Sequence, residues 1–230
     1  MKNHLKRIAS PRTWLINRKS NIFITRPRPG AHSFQHGISL GVVLRDMLHV
    51  ASTMGEAKKI LNTKNILVDS SRTRDHRRIV GLFDVISLPD IEEQYRMILD
   101  TKGRLDVIEV NAAESTRKLC KIIGKTIVKK GKVQFNLHDG KNIVSDKEAR
   151  IGDSFVVTLP GKEIESVLTL NSGAAVFLVY GKHSGDVGVF KEFKGNDALY
   201  TKDKMDVETS KKYLFVVGSR GKPLITIRKE

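Results

Sequence analysis

The sequence predicts an α+β fold that is mostly β and is divided into several small parts. Three observations lead to this prediction. The first 45 residues contain nine Lys and Arg and no Asp or Glu. Residues 41–61 then show apolar residues at helical spacing, and beyond residue 90 short apolar runs alternate with turn residues. Many short strands with frequent turns are typical of small barrels rather than of a parallel sheet.

Residues 1–41 are predicted to form a basic N-terminal arm. The segment is polar and has little helical or strand periodicity, so we expect it to be irregular and to gain order against a partner. The charges are more nearly balanced beyond residue 45, yet the chain of 230 residues carries a net charge of +16. Charge that is distributed so unevenly indicates a polyanionic partner, and phosphate is the first candidate.

The next segment is predicted to begin with two helices. Apolar residues at three- and four-residue spacing from Val43 to Ala51 predict an amphipathic helix, and residues 57–61 repeat that spacing on a shorter one. Lys58 and Lys59 lie on the opposite face of the second helix. That face is therefore expected to be exposed and positively charged.

A basic hairpin is predicted after the helices. Residues 66–68 are expected to form a strand, residues 69–71 a polar turn, and residues 77–80 the antiparallel return strand. Two helices and a hairpin make one compact module over residues 42–90.

The remaining sequence predicts two β domains, a central one at residues 91–170 and a second at residues 171–230. One helix is expected in the central domain, from an N-cap at Asn111 to a terminating Gly124. The turn signals Lys102-Gly103 and Asp139-Gly140 separate neighbouring strands. The predicted strands are 95–99, 105–110, 127–133, 155–159, 174–180, 187–193 and 213–217.

Motifs for catalysis, cofactors and metals are missing from the sequence. It has no phosphate-binding P-loop, no Gly-x-Ser-x-Gly elbow, no His-Glu-x-x-His and no paired-cysteine spacing. Cys120 is the single cysteine and is expected to be buried on a helix. No apolar run is long enough to span a bilayer. We therefore predict a protein that is not an enzyme and that has no cofactor, metal, small-molecule substrate or membrane partner.

Basic residues carry the positive signal for a binding function. Arginine suits bidentate contact with phosphate, and the hairpin region 72–78 holds four arginines with only Asp75 to offset them. Trp14 either stacks on a base or anchors the arm to its own protein, and we favour the anchor. The candidate RNA-binding residues from charge are Lys6, Arg7, Arg12, Arg18, Lys19, Arg26, Arg28, Arg45, Lys58, Lys59, Arg72, Arg74, Arg77 and Arg78.

The N-terminal residues resemble the signature of a known family. His4, Lys6, Arg7, Pro11 and Trp14 fall on the pattern of the archaeal and eukaryotic-type small-subunit ribosomal protein four family. Three further segments, 81–87, 100–104 and 118–121, are similar to family segments. The chain is short at both ends compared with eukaryotic relatives, which favours an archaeal member.

Residues 42–90 resemble the small RNA-binding module that bacterial ribosomal protein four shares with several RNA-modifying enzymes. The resemblance implies that the second helix and the hairpin face RNA, which points to Lys58, Lys59, Arg72 and Arg74. Glycine often follows the aspartate of the hairpin turn in that module, whereas Ser70 stands here. The turn geometry is therefore left open by the sequence.

Residues 171–200 resemble a KOW segment, which implies an SH3-like barrel at residues 171–230. The glycines around residues 181–188 allow a tight loop whose backbone can approach phosphate. Lys182 and His183 are its candidate RNA contacts.

These observations favour a structural constituent of the small ribosomal subunit that binds rRNA by charge and shape and supports subunit assembly. Its expected partners are small-subunit rRNA and neighbouring small-subunit proteins, and its expected location is the cytoplasmic ribosome. Two alternatives remain at this point. One is an RNA-modifying enzyme that uses residues 42–90 to hold its substrate, and the other is a free RNA-binding regulator of translation or transcription.

Overall fold

The computed structural model of the protein describes residues 4–128, 131–203 and 205–227. The chain forms a mostly-β α+β fold in two compact units. The first comprises Met1–Ile98 and Arg104–Thr116, and the second comprises Leu99–Gly103 and Arg117–Glu230. The four-part division expected from the sequence is finer than this and stays a prediction. Among the described residues, no helix is both long and apolar enough to cross a membrane.

In its described residues the first unit contains three short α-helices, 3-10 helical turns at Arg7–Ala9 and Pro89–Ile91, a π-helical turn and two antiparallel sheets. One sheet joins β1 to β4, and the other has the strand order β3-β2-β5-β6-β7. The elements in chain order are β1 Gly37–Ser39, α1 Leu40–Val42, α2 Met54–Thr63, β2 Leu67–Val68, β3 Ser71–Arg72, β4 Ile79–Gly81, β5 Val85–Leu88, β6 Glu93–Leu99, β7 Leu105–Glu109 and α3 Ala112–Ser115.

The basic arm has little regular secondary structure, as expected, but it is ordered against the first unit of its own chain rather than only against a partner. Trp14 is 2% exposed, and its Nε1 donates to the backbone oxygen of Gly37 at 3.1 Å. The backbone N–H of Leu105 donates to the oxygen of Thr13 at 2.6 Å, and Ile24 is also buried. The favoured interpretation of Trp14 as an anchor is confirmed, because a few apolar side chains hold a largely polar segment in place.

The first predicted helix is shorter than its apolar spacing suggested. The α-helical turn at Leu40–Val42 widens into a π-helical turn at Val43–Met47. His49 then adopts the left-handed conformation with φ of +55°, which ends the helix. The second helix is confirmed as α2, and a capping box between Thr53 and Glu56 begins it.

The predicted hairpin has a different return strand. Asp69 and Ser70 both have positive φ, +49° and +59°, so the turn is a two-residue type I′ turn and Ser71–Arg72 pairs directly with Leu67–Val68. Ile79–Gly81 pairs instead with Gly37–Ser39, near the end of the arm. The prediction that residues 77–80 return against 66–68 is therefore wrong, because the tight turn closes the hairpin within two residues.

The second unit is built from two antiparallel sheets with the strand orders β10-β9-β8-β11-β12 and β16-β15-β14-β13-β17-β18. Phe135 and Phe155 meet edge to face in the core of the first sheet, and Tyr200 is fully buried in the core of the second. The strands are β8 Arg117–Ile127, β9 Val133–Leu137, β10 Asn142–Val144, β11 Ser154–Thr158, β12 Ile164–Leu168, β13 Ala175–Leu178, β14 Val187–Lys194, β15 Asp197–Lys202, β16 Met205–Ser210, β17 Leu214–Ser219 and β18 Lys222–Pro223.

The predicted helix at residues 111–124 is wrong beyond its first turn. Only Ala112–Ser115 is helical, Asn111 makes no side-chain cap bond, and the eleven-residue strand β8 follows. Its β-branched residues favour a strand. Cys120 is buried as expected, but on this strand.

Of the other predicted strands, six are confirmed with shifted ends, and the seventh, at 127–133, is wrong. β8 ends at Ile127 and β9 begins at Val133, and the N–H of Val128 donates to the oxygen of Lys132 across a turn. Residues 129 and 130 lie outside the described part of the chain.

Candidate nucleic-acid interface

Arg7 and Arg45, both expected to contact RNA, converge on one carboxylate. The Nη2 of Arg7 lies 2.7 Å from Oδ2 of Asp46, and its Nη1 donates to Oγ of Ser20. Arg45 holds both oxygens of Asp46, through Nε at 2.9 Å and Nη2 at 2.8 Å. The Arg7 side chain is 3% exposed. Arg7 therefore differs from the exposed contact that charge alone suggested, and it connects the arm to the first helix.

The charge state of Asp46 follows from this arrangement. Burial alone would raise the pKa of Asp46, but hydrogen bonds from Arg45 and Arg7 and the positive charges of both outweigh it. The net result is a pKa below its ordinary value, so the carboxylate stays ionised. The cluster of Arg7, Asp46 and Arg45 keeps a net charge of about +1.

Arg18 also binds groups of its own chain. Its Nη1 donates to the backbone oxygen of Ser10 at 2.8 Å and its Nη2 to the oxygen of Pro11 at 2.6 Å. A guanidinium with several fixed carbonyl partners stabilises a loop that has few backbone bonds of its own. We therefore assign Arg18 first to holding the arm in shape.

Arginines of two segments that precede β1 and β4 also bind groups of their own chain. Arg28 pairs with Asp75 at 2.9 Å, and Nε of Arg77 donates to the oxygen of Arg26 at 3.0 Å. Arg26 also lies over the Phe34 ring, 5.6 Å from its centroid. These contacts join residues 26–28 to residues 75–77. Arg78 lies beside them and is half-buried.

The basic residues of α2 and of the hairpin formed by β2 and β3 differ from these arginines in their exposure and pairing. Lys58, Lys59, Arg72 and Arg74 are all exposed, and within the described residues none of them pairs with a carboxylate. Burial lowers the pKa of His76, and the positive charge of Lys58 lowers it further. Lys6, Arg12 and Lys19 are exposed in the same way on the arm. These seven residues form what we call the free basic set.

The loop after β13 makes several contacts within the chain. Lys182 is exposed, but Nδ1 of His183 lies 3.5 Å from Oδ2 of Asp186, which Lys202 also binds at 2.7 Å. Gly185 has φ of +90°, and a Cβ there would lie 2.0 Å from the backbone oxygen of Asp100. This glycine therefore allows a close approach to the chain's own backbone.

One group of ligand-type side chains meets in the described part of the second unit. Cys120, His138 and Asp139 have donor atoms within 4.8 Å of one another. Asp139 already accepts from Lys118 at 3.0 Å and from Lys141 at 3.2 Å. A cation would have to displace two ammonium groups, so the cluster is better suited to an internal ion pair. The positive charge of Lys118, followed by those of His138 and Lys141, lowers the pKa of Asp139 against the effect of burial.

Sequence reasoning missed the organising role of Asp46. A signal existed, because Asp46 is the first carboxylate in the chain and directly follows Arg45. A single carboxylate at the end of a basic stretch is a candidate partner for a buried Lys or Arg. Nothing in the local sequence indicated that this residue would be Arg7, which lies 39 residues away.

Comparisons with known proteins agree with the geometry. Residues 1–35 match the RS4NT (NUC023) domain and residues 91–164 match the ribosomal family S4e. The small ribosomal subunit protein eS4 of Methanocella arvoryzae is 41% identical over 222 residues, which cover 94% of each chain. The chain belongs to the ribosomal S4e family. The predicted family is thereby confirmed.

Further S4e relatives support the same assignment. The eS4 proteins of Methanosphaera stadtmanae and Archaeoglobus fulgidus are each 38% identical, with at least 96% of both chains covered. These relatives are archaeal, as expected, and are named as ribosomal proteins rather than as enzymes. A crystal structure of the 30S ribosomal protein S4e from Thermoplasma acidophilum matches with a TM-score of 0.73 over 83% of this chain and 99% of that one. At 24% identity this likeness supports the fold.

Proposed function

We propose that this S4e-family chain is a structural constituent of the small ribosomal subunit in the cytoplasm. It binds small-subunit rRNA by electrostatic and shape recognition, lies among neighbouring small-subunit proteins and supports subunit assembly. The observation that carries the proposal is its membership of a ribosomal protein family over nearly its full length. The net charge of +16 supports an RNA partner.

The free basic set is the proposed contact surface in the first unit. Lys58 and Lys59 lie on α2, and Arg72 and Arg74 lie on or beside the hairpin. Charges that have no carboxylate partner gain more from phosphate than charges that are already paired, because no existing ion pair must break. We propose that residues 42–90 act as the RNA-binding module, with these four residues facing the backbone.

The C-terminal residues 171–230 are proposed to form an SH3-like KOW domain, and residues 91–170 a central β domain. The strand order β16-β15-β14-β13-β17-β18 supports a small antiparallel sheet in the former. Lys182 remains its candidate RNA contact because it is exposed. His183 is a weaker candidate, since Asp186 faces it.

The alternative functions lose support from the relatives. An RNA-modifying enzyme or a free regulator would be expected to have relatives of those classes over its full length, whereas the reported relatives are small-subunit ribosomal proteins. An extraribosomal role of the same surface is compatible with the proposal but has no observation of its own.

Sedimentation of a native lysate tests the proposal. The chain, detected by an antibody or a tag, is expected to sediment with small subunits on a sucrose gradient at low salt and to remain largely bound at moderately raised salt. Recovery only at the top of both gradients would contradict a ribosomal role. Turnover of isolated RNA by the purified chain would favour the enzyme instead.

A further inference from the structure

A cleft in the first unit lies between the arm and the end of the first helix. It has a volume of about 590 Å³ and is broadly open to solvent. It is lined by Arg7, by five arm residues between 15 and 21, and by five residues between 45 and 52. The volume falls within the range of sites that hold small organic ligands.

The walls combine apolar and polar groups in a way that suits a heterocyclic base. Leu15, Ile16 and Ala51 offer apolar contact, whereas Asn21, His49 and Ser52 offer hydrogen-bonding groups. The last three residues are exposed, and within the described ranges their side chains bind no other protein group. Paired donors and acceptors next to apolar surface are what reads the edge of an unstacked base.

Two of the lining residues are arginines, and Arg45, whose side chain is 18% exposed, offers part of a flat, positively charged surface. Arg45 is held by two bonds to Asp46, so the plane of its guanidinium is fixed. Fixed guanidinium planes stack on bases at little entropic cost. Arg7 also lines the cleft, but its side chain is 3% exposed, so it contributes positive charge rather than contact surface.

The charge around the cleft favours a ligand that belongs to a nucleic acid. Asp46 is the single carboxylate among the lining residues and is neutralised by the two arginines. Lys19 lies in the same segment of the arm as the lining residue Asn17, to whose Oδ1 its backbone N–H donates at 3.2 Å, and its exposed side chain adds positive charge to that segment.

We propose that this cleft binds a single unpaired nucleotide that is extruded from the RNA. The inference rests on the proposed function, because it names the part of the rRNA that the first unit selects. The arm and the first helix would act together as a pocket, and Arg45 would serve as a stacking surface rather than as a phosphate contact.

Filling the cleft tests the inference. Ser52→Trp places an indole at an exposed position in the wall, and Ser33→Trp, exposed elsewhere on the arm, is the matched control. The full chain is bound to the complete small-subunit rRNA, and 2′-hydroxyl acylation is read at each nucleotide. We expect the wild type and Ser33→Trp to protect at least one unpaired nucleotide that Ser52→Trp leaves reactive, with the remaining protections unchanged.

Affinity provides a second readout. Loss of one stacked base should weaken binding by about 5- to 100-fold without changing the slope of log affinity against log salt. If the slope of log affinity against log salt became shallower as the affinity was lost, the inference would be overturned, because the change would indicate a lost phosphate contact. Identical protections with Ser52→Trp and wild type would also overturn it while leaving the proposed function intact. Absence of any protection by the wild type would instead contradict RNA binding itself.

A double variant guards against misfolding of Ser52→Trp. Asn21→Ala with His49→Ala removes two polar groups from the walls and leaves the cleft empty. The same nucleotide should become reactive if its base is read there. If the double variant and Ser52→Trp both keep the wild-type protections, the cleft does not hold a nucleotide.

Discussion

The arm and the face of α2 with its hairpin carry similar charge in the sequence but use it differently. In the arm, Arg7 and Arg18 turn inward and bind Asp46, Ser20 and backbone oxygens. On α2 and the hairpin, Lys58 and Arg72 point into solvent. The difference teaches that a basic stretch can serve its own fold before it serves a partner. Side chains that are long enough to reach several carbonyls supplement the few apolar anchors of a largely polar arm.

The largest expected effect is a loss of RNA affinity when the exposed basic residues of α2 and the hairpin are replaced. The quadruple variant Lys58→Gln, Lys59→Gln, Arg72→Gln and Arg74→Gln should lose roughly 100- to 1,000-fold in rRNA affinity at about 0.1 M salt. The slope of log affinity against log salt should become shallower by up to about 3, because up to four phosphate contacts are lost. Filter binding over a range of salt concentrations measures both. Arg18→Gln should leave the slope unchanged, and an equal change in the two would erase the distinction between the regions.

The stability of the protein is expected to fall when the arm loses its apolar anchor, Trp14. Trp14→Ala should lower the free energy of unfolding by about 3–5 kcal/mol, because a buried indole and its bond to Gly37 are removed. Urea unfolding at pH 7 measures the change. Phe23→Ala is the control, since Phe23 is 56% exposed, and it should change stability by less than about 0.5 kcal/mol. Equal losses would mean that the arm is not anchored at Trp14.

The contribution of the buried Arg7 to stability is expected to depend on Asp46. Asp46→Asn should cost about 2–3 kcal/mol at neutral pH, because it leaves the buried guanidinium of Arg7 without its counter-charge. Asp90→Asn removes an exposed pair with Lys64 and should cost less than about 1 kcal/mol.

The cost of Asp46→Asn should also depend on pH. The folded protein lowers the pKa of Asp46, so the stabilisation is complete above the unfolded pKa of about 4 and is lost as pH falls through the folded value. The gap between wild type and variant should therefore narrow in acid. A gap that is constant from pH 7 to pH 3 would contradict the ion pair.

The smallest expected effect concerns how the hairpin presents Arg72. Ser70→Gly should raise stability by about 0.5 kcal/mol, because serine is strained at the left-handed φ of +59° whereas glycine is not. Ser71→Gly, in the adjacent strand, should lower it by a similar amount. Thermal unfolding of the two variants measures the difference. A loss of stability in Ser70→Gly would show that the turn is not type I′.

Local signals were sufficient for some elements and not for others. The second helix follows from its apolar spacing and from Thr53 and Glu56, which lie three residues apart. The strand β8 was taken for a helix because Leu119 and Ile122 satisfy a helical spacing as well as burial in a sheet. Lys118 added to the error, because a lysine that is 1% exposed is expected only where a buried carboxylate pairs with it. Here that carboxylate is Asp139, which lies in the turn between β9 and β10 and not on β8.

The sequence was sufficient to predict the type of partner of the candidate site, but not which of its basic residues are available for binding. Charge and the N-terminal signature indicated RNA and the S4e family, and both rest on composition and short spacing. Which arginines remain available depends on contacts such as Arg7 with Asp46 and Arg28 with Asp75, which join segments 39 and 47 residues apart. Local periodicity carries no information over such distances.

The docking of the arm has a consequence for the order of events during synthesis. Trp14 lies beside Leu105, whose N–H bonds to Thr13, so the arm cannot reach its place until about 90 more residues have been made. At about 5–20 residues per second, this leaves the arm without its docking site for roughly 5 to 20 s. During that interval Arg18 can already bind the oxygens of Ser10 and Pro11, and Arg7 can bind Asp46 once residue 46 is made. The internal bonds of the arm can therefore form before its docking site exists, and the completion of β7 fixes the arm at Thr13 and Trp14.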